Sequence, residues 1–321
     1  MRSVQTDQNI SLAAVKPLDG LNRYREHCLA VTAQALRQRT RRRTACPADG
    51  AVLEPAGDIG GLPYAACPKG GGFFLAQLPE PAVWAGVLRE VSRYRHSPQA
   101  FHTGLAQSRA ENVYAPKLEW IQETLRLQEV RHPAILEAMT APSDFTELLE
   151  RSGSFSRVVS VDETAYASEA APPAAERFQA AVLLESLDRV HHPAALLANI
   201  RRALSGGGLL FATALVASGF DIAVLGLRSR YLYPPDRTNC FSLEELVALV
   251  AGAGFALVEV STPGVLDVEI VRAHVAQEPS LPLSAFERRL LASDQEAQAA
   301  FQAFLQQGRL SSFTRIAARA I

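Results

Sequence analysis

The sequence predicts an α/β fold in which helices cover a mostly parallel sheet. Two apolar runs of strand length flank a helical stretch within Phe178–Thr213, and strands joined in this way run parallel. The stretch Ser311–Ala320 alternates between apolar and polar residues as a strand does. Two Cys-Pro stretches followed by glycines, at Cys46 and Cys67, predict a small ribbon before the main sheet.

The first apolar run, Phe178–Leu184, is rich enough in Ala, Val and Leu to be a strand buried on both faces. Five polar residues follow it, namely Glu185, Asp188, Arg189, His191 and His192. An open α/β sheet exposes its ligand-binding edge where such strands end. A helix then begins at Pro193 and stops at Gly206–Gly208, and a second apolar strand covers Leu209–Ala214.

These residues resemble the second half of the class I S-adenosylmethionine-dependent methyltransferases. The family's strand, acidic run, Pro and Leu-x-Gly-Gly turn are matched in order and spacing by Phe178–Val182, Glu185–Val190, Pro193 and Leu204–Gly208. Arg189 stands where the family usually has His, and Gln179 stands where it usually has an acid. The resemblance implies a Rossmann-like sheet, S-adenosylmethionine as the cofactor, and a small-molecule acceptor such as a sugar or a secondary metabolite.

Composition excludes several classes of protein. The 321 residues can bury one large core or two, and 48% hydrophobic residues with a net charge of −1 are typical of a soluble protein. No basic excess points to nucleic acid, and no run reaches the ~18 apolar residues that crossing a membrane needs. No apolar leader opens the chain, and four scattered cysteines are too few for a disulfide framework. We therefore expect a cytoplasmic protein.

Three regions are expected along the chain. Residues 1–45 form an arm and a helix, which begins near Leu21 and ends near Arg39. The basic run at 37–43 fits contacts with phosphates or an acidic partner, or else a solvated helix end. Residues 46–128 hold the ribbon and the helices that lid the cofactor pocket, and residues 129–321 form the methyltransferase-like domain.

Cys46 and Cys67 begin the two halves of the predicted ribbon. Methyltransferases of this kind often start with a zinc ribbon that has a second Cys in each half, but Asp49 and Gly70 stand at those positions here. Tetrahedral zinc needs four ligands, and two Cys with one Asp do not close such a site. We therefore expect no zinc or other metal, and a hairpin with Phe73–Phe74 packed inward.

The stretch between the ribbon and the main sheet is expected to be largely helical. Apolar residues recur at helical spacing over Pro79–Arg95 and again over Tyr114–Leu127. Residues 96–110, which lie between them, are polar and predict a loop. In the family, elements at this place cover the cofactor pocket.

The turn that would bind the cofactor follows the first strand of the main sheet. Ala134–Thr140 predicts this strand, and Asp144–Arg151 predicts a helix capped by Ser143. The family places an acid and three glycines here, and they align with Glu137, Met139, Ala141 and Ser143. Glycines suit such a turn because a Cβ would crowd the ligand, and Ala and Ser are small enough to keep part of this function. The resemblance therefore assigns Glu137, Ala141 and Ser143 to cofactor binding.

The second strand, Phe155–Val161, ends at Asp162 and Glu163. In this fold an acid at that place hydrogen-bonds the ribose hydroxyls of the cofactor, although either residue could equally be an ordinary acid of a loop. The short stretch 164–177 predicts that the family's third strand is shortened or missing. Leu184 and Glu185, after the next strand, complete the predicted cofactor set.

Residues 218–239 form an insertion on the acceptor side of the family's pocket. Four of its residues could orient a substrate or pack as part of a lid: Tyr231, Tyr233, Asp236 and Arg237. A strand over Phe255–Val260 follows. A helical insertion at about 265–310, with N-caps at Ser284 and Ser293, separates that strand from the antiparallel last one.

A hydroxyl acceptor would need a base to take its proton. His191, His192 and Glu185 lie near the right place, although two histidines before a helix can equally form a solvated cap. The replaced glycines and zinc cysteines also suit a catalytically inactive protein of this fold that serves as a binding or partner subunit. A nicotinamide dehydrogenase is disfavoured because no Gly-x-Gly-x-x-Gly follows a strand. Both a homo-oligomer and a complex with a protein partner remain open.

Overall fold

The computed structural model describes residues 10–141, 143–168 and 177–321. Three sequence predictions fall partly outside these ranges. They concern the N-terminal arm at 1–9, the middle of the cofactor turn at Pro142, and residues 169–176, where a third strand was expected to be shortened or missing. Across the described ranges, no helix combines the length and the apolar character needed to cross a membrane.

Two helices open the described chain, α1 at Leu12–Val15 and α2 at Leu18–Leu36. The hydroxyl of Ser11 accepts the backbone N–H of Ala14 and so caps α1. Tyr24 and Cys28 of α2 are buried one turn apart, which gives the helix an inner face. The predicted helix is confirmed, with both ends about three residues earlier than the apolar pattern indicated.

The ribbon consists of short antiparallel strands: β1 at Thr40–Arg42, β2 at Glu54–Ile59, β3 at Leu62–Ala66, β4 at Phe73–Leu75 and β5 at Gln77–Pro79. Strands β2, β3 and β4 pair in sequence, while β1 pairs with β5. Gly60 and Gly61 both have positive φ angles, as the tight turn between β2 and β3 requires. Phe74 is fully buried as expected, and Phe73 is partly buried.

Helices then cover residues 81–127: α3 at Pro81–Arg95, α4 at Phe101–Gly104, α5 at Ala106–Arg109, a π-helical turn at Ala110–Tyr114, and α6 at Ala115–Leu127. The prediction of a loop at 96–110 was wrong, because α4 and α5 occupy most of it. Phe101 at the start of α4 packs directly on Gly20 of α2, where a Cβ would clash with its ring. Long-range packing therefore orders a stretch whose local pattern is polar.

The rest of the chain alternates strands and helices. In order they are β6 at Ala134–Ala138, α7 at Asp144–Arg151, β7 at Arg157–Val161, α8 at Glu163–Tyr166, β8 at Phe178–Leu184, α9 at Ser186–Arg189, α10 at Pro193–Ala203, β9 at Leu204–Leu215, α11 at Phe220–Leu225, β10 at Asn239–Cys240, α12 at Leu243–Gly252, β11 at Phe255–Ser261, α13 at Asp267–Gln277, α14 at Ala285–Leu291, α15 at Gln295–Gln307 and β12 at Phe313–Ala320.

The main sheet has the strand order β11-β12-β9-β8-β6-β7. Strands β7, β6, β8 and β9 run parallel, whereas β12 lies antiparallel between β11 and β9, with Ala317 opposite both Glu259 and Phe211. The antiparallel last strand and the α/β class are therefore confirmed. Ala180–Leu183 of β8 are fully buried, as the continuous apolar run predicted.

Other helix ends also differ from their sequence predictions. Helix α10 stops at Ala203, before the glycines, because residues 205–208 bulge out between the pairs Phe178–Leu204 and Ala180–Leu209. Helix α15 is capped by Asp294 and not by Ser293, since the Asp294 carboxylate accepts the N–H of Ala297. An aspartate is as good a cap as a serine, and local sequence does not separate neighbouring candidates.

The ribbon is joined to the main domain by strand pairing. Strand β10 lies antiparallel to β4, with Asn239 opposite Phe74, and Phe74 meets the ring of Phe241 at a centroid distance of 5.3 Å. The ribbon core therefore continues into the core under β8 and β9. This junction holds the segment 231–238 above the carboxyl edge of the parallel strands.

Candidate functional site at the carboxyl edge of the sheet

Two adjoining cavities lie where the parallel strands β6 and β8 end. The turn cavity, of about 290 Å³, is lined by the turn after β6, by α3 and by Arg189. The central cavity, of about 280 Å³, extends from the same turn to α6, to the segment 231–237 and to β12. Arg95, Met139, Arg189 and Asp236 line both cavities. The fold thus provides two connected spaces at its ligand-binding edge.

The turn after β6 is shaped by the capping box of α7. The hydroxyl of Ser143 accepts the N–H groups of Phe145 and Thr146, while the hydroxyl of Thr146 accepts the N–H of Ser143. Ala141 and Ser143 line the turn cavity, and Ser143 also lines the central one. Met139, at the position of a family glycine, lines both spaces, and its sulfur lies 3.4 Å from the hydroxyl oxygen of Thr146.

Glu137 lies beneath this turn and lines neither cavity among the described residues. It is buried in β6, and its Oε2 accepts the hydroxyl of Thr146 at 2.7 Å. Burial raises the pKa of Glu137 to about 7, while the bond from Thr146 opposes the rise. This carboxyl group therefore supports the first turn of α7 from inside the sheet.

The acids after β7 are both engaged by protein groups. Asp162 caps α8, because its Oδ1 accepts the N–H groups of Thr164 and Ala165. Glu163 is 0% exposed, and Arg189 donates to both of its oxygens at 3.0 and 3.1 Å. The described linings of the two cavities include neither acid.

Glu185 ends β8 with an unusual backbone, φ 60° and ψ 15°, in the left-handed region. Few non-glycine residues adopt it, and such outliers cluster at functional sites. Its Oε2 accepts a charge-assisted hydrogen bond from Arg237 at 2.8 Å in the central cavity. Burial alone would raise the pKa of Glu185, but Arg237, Lys117 and other cations hold it well below its usual range. Glu185 is therefore an anion at neutral pH.

The four predicted acceptor residues come together in the central cavity: Tyr231, Tyr233, Asp236 and Arg237. Asp236 is held by Arg95, whose Nη2 lies 3.1 and 3.2 Å from its two oxygens, and Tyr24 joins the same network. The backbone of Arg237 is fixed by the hydroxyl of Tyr64, which donates to its carbonyl oxygen at 2.7 Å. Leu184 and Glu185 line the same space.

The two histidines lie away from both cavities. The ring of His191 stacks on Trp84 of α3 at a centroid distance of 4.7 Å, and burial, with Arg43 nearby, lowers its pKa to about 2. His192 is exposed, with its Nε2 2.8 Å from a guanidinium nitrogen of Arg41. Neither imidazole is placed to take a proton from a ligand in the cavities.

Six basic residues of the central cavity escaped the sequence prediction: Lys16, Arg95, His102, Arg109, Lys117 and Arg315. A signal was available for one of them. Lys117 falls on the stripe of α6 that also carries Ile121 and Thr124, and a lysine on a buried stripe calls for an explanation. The others lie in short helices, at helix ends or on the last strand, where no pattern separates a cavity side chain from a surface one.

Cys46, Asp49 and Cys67 bring three potential ligand atoms within 4.8 Å of one another in the ribbon. Each carries a protein partner: the Cys46 thiol donates to Glu245 at 3.7 Å, Lys69 pairs with Asp49 at 3.4 Å, and the N–H of Gly70 donates to the Cys67 sulfur. Burial raises the pKa of the Cys46 thiol, which opposes the thiolate that zinc requires. The absence of metal stays a prediction.

A family model described as "Methyltransferase domain" matches residues 22–260. A search of curated proteins gave no significant match. Among solved structures, 1,6-didemethyltoxoflavin-N1-methyltransferase from Burkholderia thailandensis is 16% identical with a TM-score of 0.42, covering 83% of this chain and 99% of its own. A methyltransferase from Thermotoga maritima is 15% identical with a TM-score of 0.39, covering 74% and 99%. Structural similarity at these TM-scores adds no support to the match with the family model.

Proposed function

Because the chain belongs to the class I S-adenosylmethionine-dependent methyltransferase family, we propose that it transfers a methyl group from this cofactor to a small-molecule acceptor in the central cavity. One observation carries the proposal. The segment 231–237 and the end of β8, which are far apart in the chain, line a single space next to the cofactor turn. A cavity of about 280 Å³ suits a small metabolite.

The residues at the turn fit the amino-acid end of the cofactor. Ala141 and Ser143 line the turn cavity with small side chains. The capping box engages the N–H groups of Ser143, Phe145 and Thr146, and it leaves the N–H of Asp144 at the start of α7 to a carboxylate. Leu184 and Glu185 line the adjoining central cavity. We assign Ala141, Ser143, Leu184 and Glu185 to this end, with Glu137 supporting the turn from below.

At the ribose end of the site, both candidate acids already accept hydrogen bonds from protein groups. Asp162 uses only Oδ1 to cap α8, and within the described chain its Oδ2 has no hydrogen-bond partner. We therefore propose Asp162 as the first acceptor for the ribose hydroxyls. Glu163 could join it only if Arg189 moved, because both of its oxygens are occupied.

S-adenosylmethionine supplies a methyl group on a positively charged sulfur, which a nucleophile on the acceptor can attack directly. The chain's own residues contribute mainly position and charge. Glu185 remains ionised, so it can accept a hydrogen bond from the acceptor and orient it, but its low pKa makes it a weak base. The same cavity is lined by four further candidates for orienting the acceptor, Tyr231, Tyr233, Asp236 and Arg237. His191 and His192 have no part in this arrangement.

Calorimetric titration with S-adenosylhomocysteine tests the cofactor assignment. The wild-type protein should bind it saturably, and Asp162→Asn should bind it about tenfold more weakly, since a charge-assisted hydrogen bond is lost. Asp19→Asn, on the exposed first turn of α2, is the matched control and should bind as the wild type does. A wild-type protein that shows no binding at millimolar ligand would sink the proposal.

A second function, ligand binding on this fold without methyl transfer, is favoured by the pair of Glu163 and Arg189, which engages an acid that the cofactor would use. Incubation with labelled cofactor and a panel of small metabolites separates the two. Release of S-adenosylhomocysteine that depends on an added metabolite and is lost in Glu185→Gln would support methyl transfer. Cofactor binding without release from any metabolite would favour the second function.

A further inference from the structure

The central cavity carries an excess of positive charge. Its described lining has seven cationic side chains, Lys16, Arg95, Arg109, Lys117, Arg189, Arg237 and Arg315. The same lining has four carboxylates, Glu185, Asp221, Asp236 and Asp267. Such an imbalance inside a protein calls for a partner, because buried charges are stable only when they are paired.

The carboxylates of the cavity already have their own partners. Glu185 pairs with Arg237, and Asp236 pairs with Arg95. Asp267 accepts hydrogen bonds from the Ser311 hydroxyl, the Ser312 N–H and the Gln302 amide, at 2.6 to 2.8 Å.

Asp221 is the remaining carboxyl group of the lining. Burial and the nearby Asp267 raise the pKa of Asp221 to about 8, so it is mostly uncharged at neutral pH. Glu185 raises the pKa of Lys16 and Lys117 from a longer distance, but within the described chain none of the four acids forms an ion pair with either lysine. Arg189 is satisfied separately, by Glu163 outside the cavity.

Four cations remain: Lys16, Arg109, Lys117 and Arg315. In the part of the chain that the structure describes, none of them forms an ion pair with a carboxylate. Lys117 is 5% exposed and Arg315 is 8% exposed. Glu259 and Glu119 act on Arg315 only at longer range.

Aromatic rings are the main neighbours of these cations. The Lys16 Nζ lies 4.5 Å from the ring centroid of Tyr231, and the Lys117 Nζ lies 5.4 Å from that of Phe313. The Arg315 guanidinium lies 5.5 Å from the ring of Trp120. Rings recover only part of the hydration that a buried cation loses, so the cluster stays under-compensated.

The four cations converge from separate parts of the fold. Lys16 follows α1, Arg109 ends α5, Lys117 lies in the first turn of α6, and Arg315 lies on β12. They are close enough to influence one another, because the charge of Arg109 adds to the effect of burial in lowering the pKa of both lysines. Convergence of this kind, with aromatic rings around it, is a built site for a negatively charged group.

We propose that Lys16, Lys117 and Arg315 bind an oxyanion of the methyl acceptor, either a carboxylate or a phosphate. The proposal rests on the proposed function, and it narrows the acceptor to an anionic small molecule. Both oxyanions suit the cluster because charge-assisted hydrogen bonds from ammonium and guanidinium groups are the strong ones. Tyr231 and Phe313 would contact the apolar part of the same molecule.

The carboxylate of the cofactor is the competing source of negative charge. It belongs at the turn after β6, whereas Arg315 lies on β12, three strand spacings away in the order β12-β9-β8-β6. At about 4.8 Å for each spacing, roughly 14 Å separates the two strands. A single carboxylate at the turn cannot satisfy Arg315, so the acceptor is the better occupant.

Thermal unfolding with benzoate, benzamide and inorganic phosphate tests the site directly. Benzoate and phosphate should raise the melting temperature of the wild-type protein, and benzamide, which has the shape of benzoate without its charge, should not. Lys117→Met and Arg315→Met should bind both anions at least tenfold more weakly. Arg126→Met is the control on α6, since Arg126 is exposed and pairs with Glu123.

The sign of the stability change separates a binding role from a structural one. Without ligand, Lys117→Met should melt at a higher temperature than the wild type, because it removes a buried charge that lacks a counterion. If Lys117 instead stabilised the fold, Lys117→Met would melt at a lower temperature than the wild type. Lys117→Gln and Arg315→Gln repeat the comparison with polar side chains, so that misfolding of one pair leaves the test intact.

Titrations with S-adenosylhomocysteine and 5′-methylthioadenosine, which lacks the amino-acid group, identify the source of the anion. The proposal expects both to bind Lys117→Met as they bind the wild type. If Lys117→Met binds S-adenosylhomocysteine more weakly but 5′-methylthioadenosine as the wild type does, the cluster belongs to the cofactor carboxylate and the proposal is overturned. The proposal is also overturned if Lys117→Met and Arg315→Met still bind the anions as the wild type does. Anion binding by a wild-type protein that binds neither nucleoside would support the oxyanion site and overturn the proposed function.

Discussion

Arg189 and Glu163 form a buried, two-pronged ion pair at the carboxyl edge of the sheet. The Nε and Nη2 atoms of Arg189 lie 3.1 and 3.0 Å from the two carboxylate oxygens, and Glu163 is fully enclosed. Arg189 stands where the family usually has His, and Glu163 is one of the two candidate ribose acids, together with Asp162. The residue that departs from the family pattern thus engages one of these two acids.

Arg189→His should tighten the binding of S-adenosylhomocysteine by about tenfold or more. A shorter side chain frees at least one oxygen of Glu163 for the ribose, while Thr140 keeps its bond to the carboxylate at 2.6 Å. Calorimetry at neutral pH measures the change, and Arg93→His on the exposed side of α3 serves as the control. Unchanged or weaker binding would show that Glu163 has no role in holding the cofactor.

A double-mutant cycle should reveal strong coupling between Arg189 and Glu163. Arg189→Met or Glu163→Met alone leaves one buried charge without its partner, so each should cost about 3–5 kcal/mol of unfolding free energy. The double variant should cost much less than the sum, since no charge remains. Urea unfolding measures all four proteins, and additive losses would mean that the pair is not the main partner of either side chain.

Lys117 should make the protein more stable as the pH rises above 8. Burial lowers its pKa from 10.5 to about 8; Glu185 opposes this, while Arg109, Arg315 and Lys16 add to it. Between about pH 8 and pH 10.5 the unfolded chain binds more protons at Lys117 than the folded chain does, so the free energy of unfolding rises with pH. The rise should reach up to about 3 kcal/mol relative to Lys117→Met. If the free energies of unfolding of the wild type and of Lys117→Met differed by the same amount at pH 7.5 and at pH 9.5, the prediction would be contradicted.

Gly219→Ala should destabilise the fold by about 1–3 kcal/mol. A Cβ at Gly219 would clash with the backbone of Ser312, which lines the central cavity and cannot turn aside as a flexible side chain can. Gly252→Ala is the control, because a Cβ there meets open space at the end of α12 and Ala favours a helix. Equal melting temperatures for the two variants would exclude a tight approach at Gly219.

Local signals in the sequence predicted a large part of the fold. The observed bounds of β8, Phe178–Leu184, and of α7, Asp144–Arg151, coincide with the predicted ones. The patterns that indicate a buried strand or a capped helix lie in neighbouring residues, so both can be predicted without the rest of the chain. The methyltransferase family followed from the resemblance of the motifs within Phe178–Gly208, and that resemblance implied the antiparallel direction of the last strand.

The site was only half predictable. Sequence reasoning named Glu185, Ala141, Ser143 and the acceptor segment, which all line the cavities. It also named His191, whose ring instead stacks on Trp84, because this residue of α3 packs against the turn between α9 and α10 and donates to the Arg189 carbonyl oxygen there. Proximity to a strand end places a residue near an edge, but the direction of its side chain depends on elements that arrive from elsewhere.

The sequence by itself therefore determined the main strands and helices of the sheet domain, some of their ends and the family. Only the tertiary structure decided which charges meet. Glu163 joins Arg189 across 26 residues, and Lys16 and Arg315 reach one cavity from opposite ends of the chain. Secondary structure follows from neighbouring residues, whereas a buried charge finds its partner, or lacks one, according to how distant elements pack.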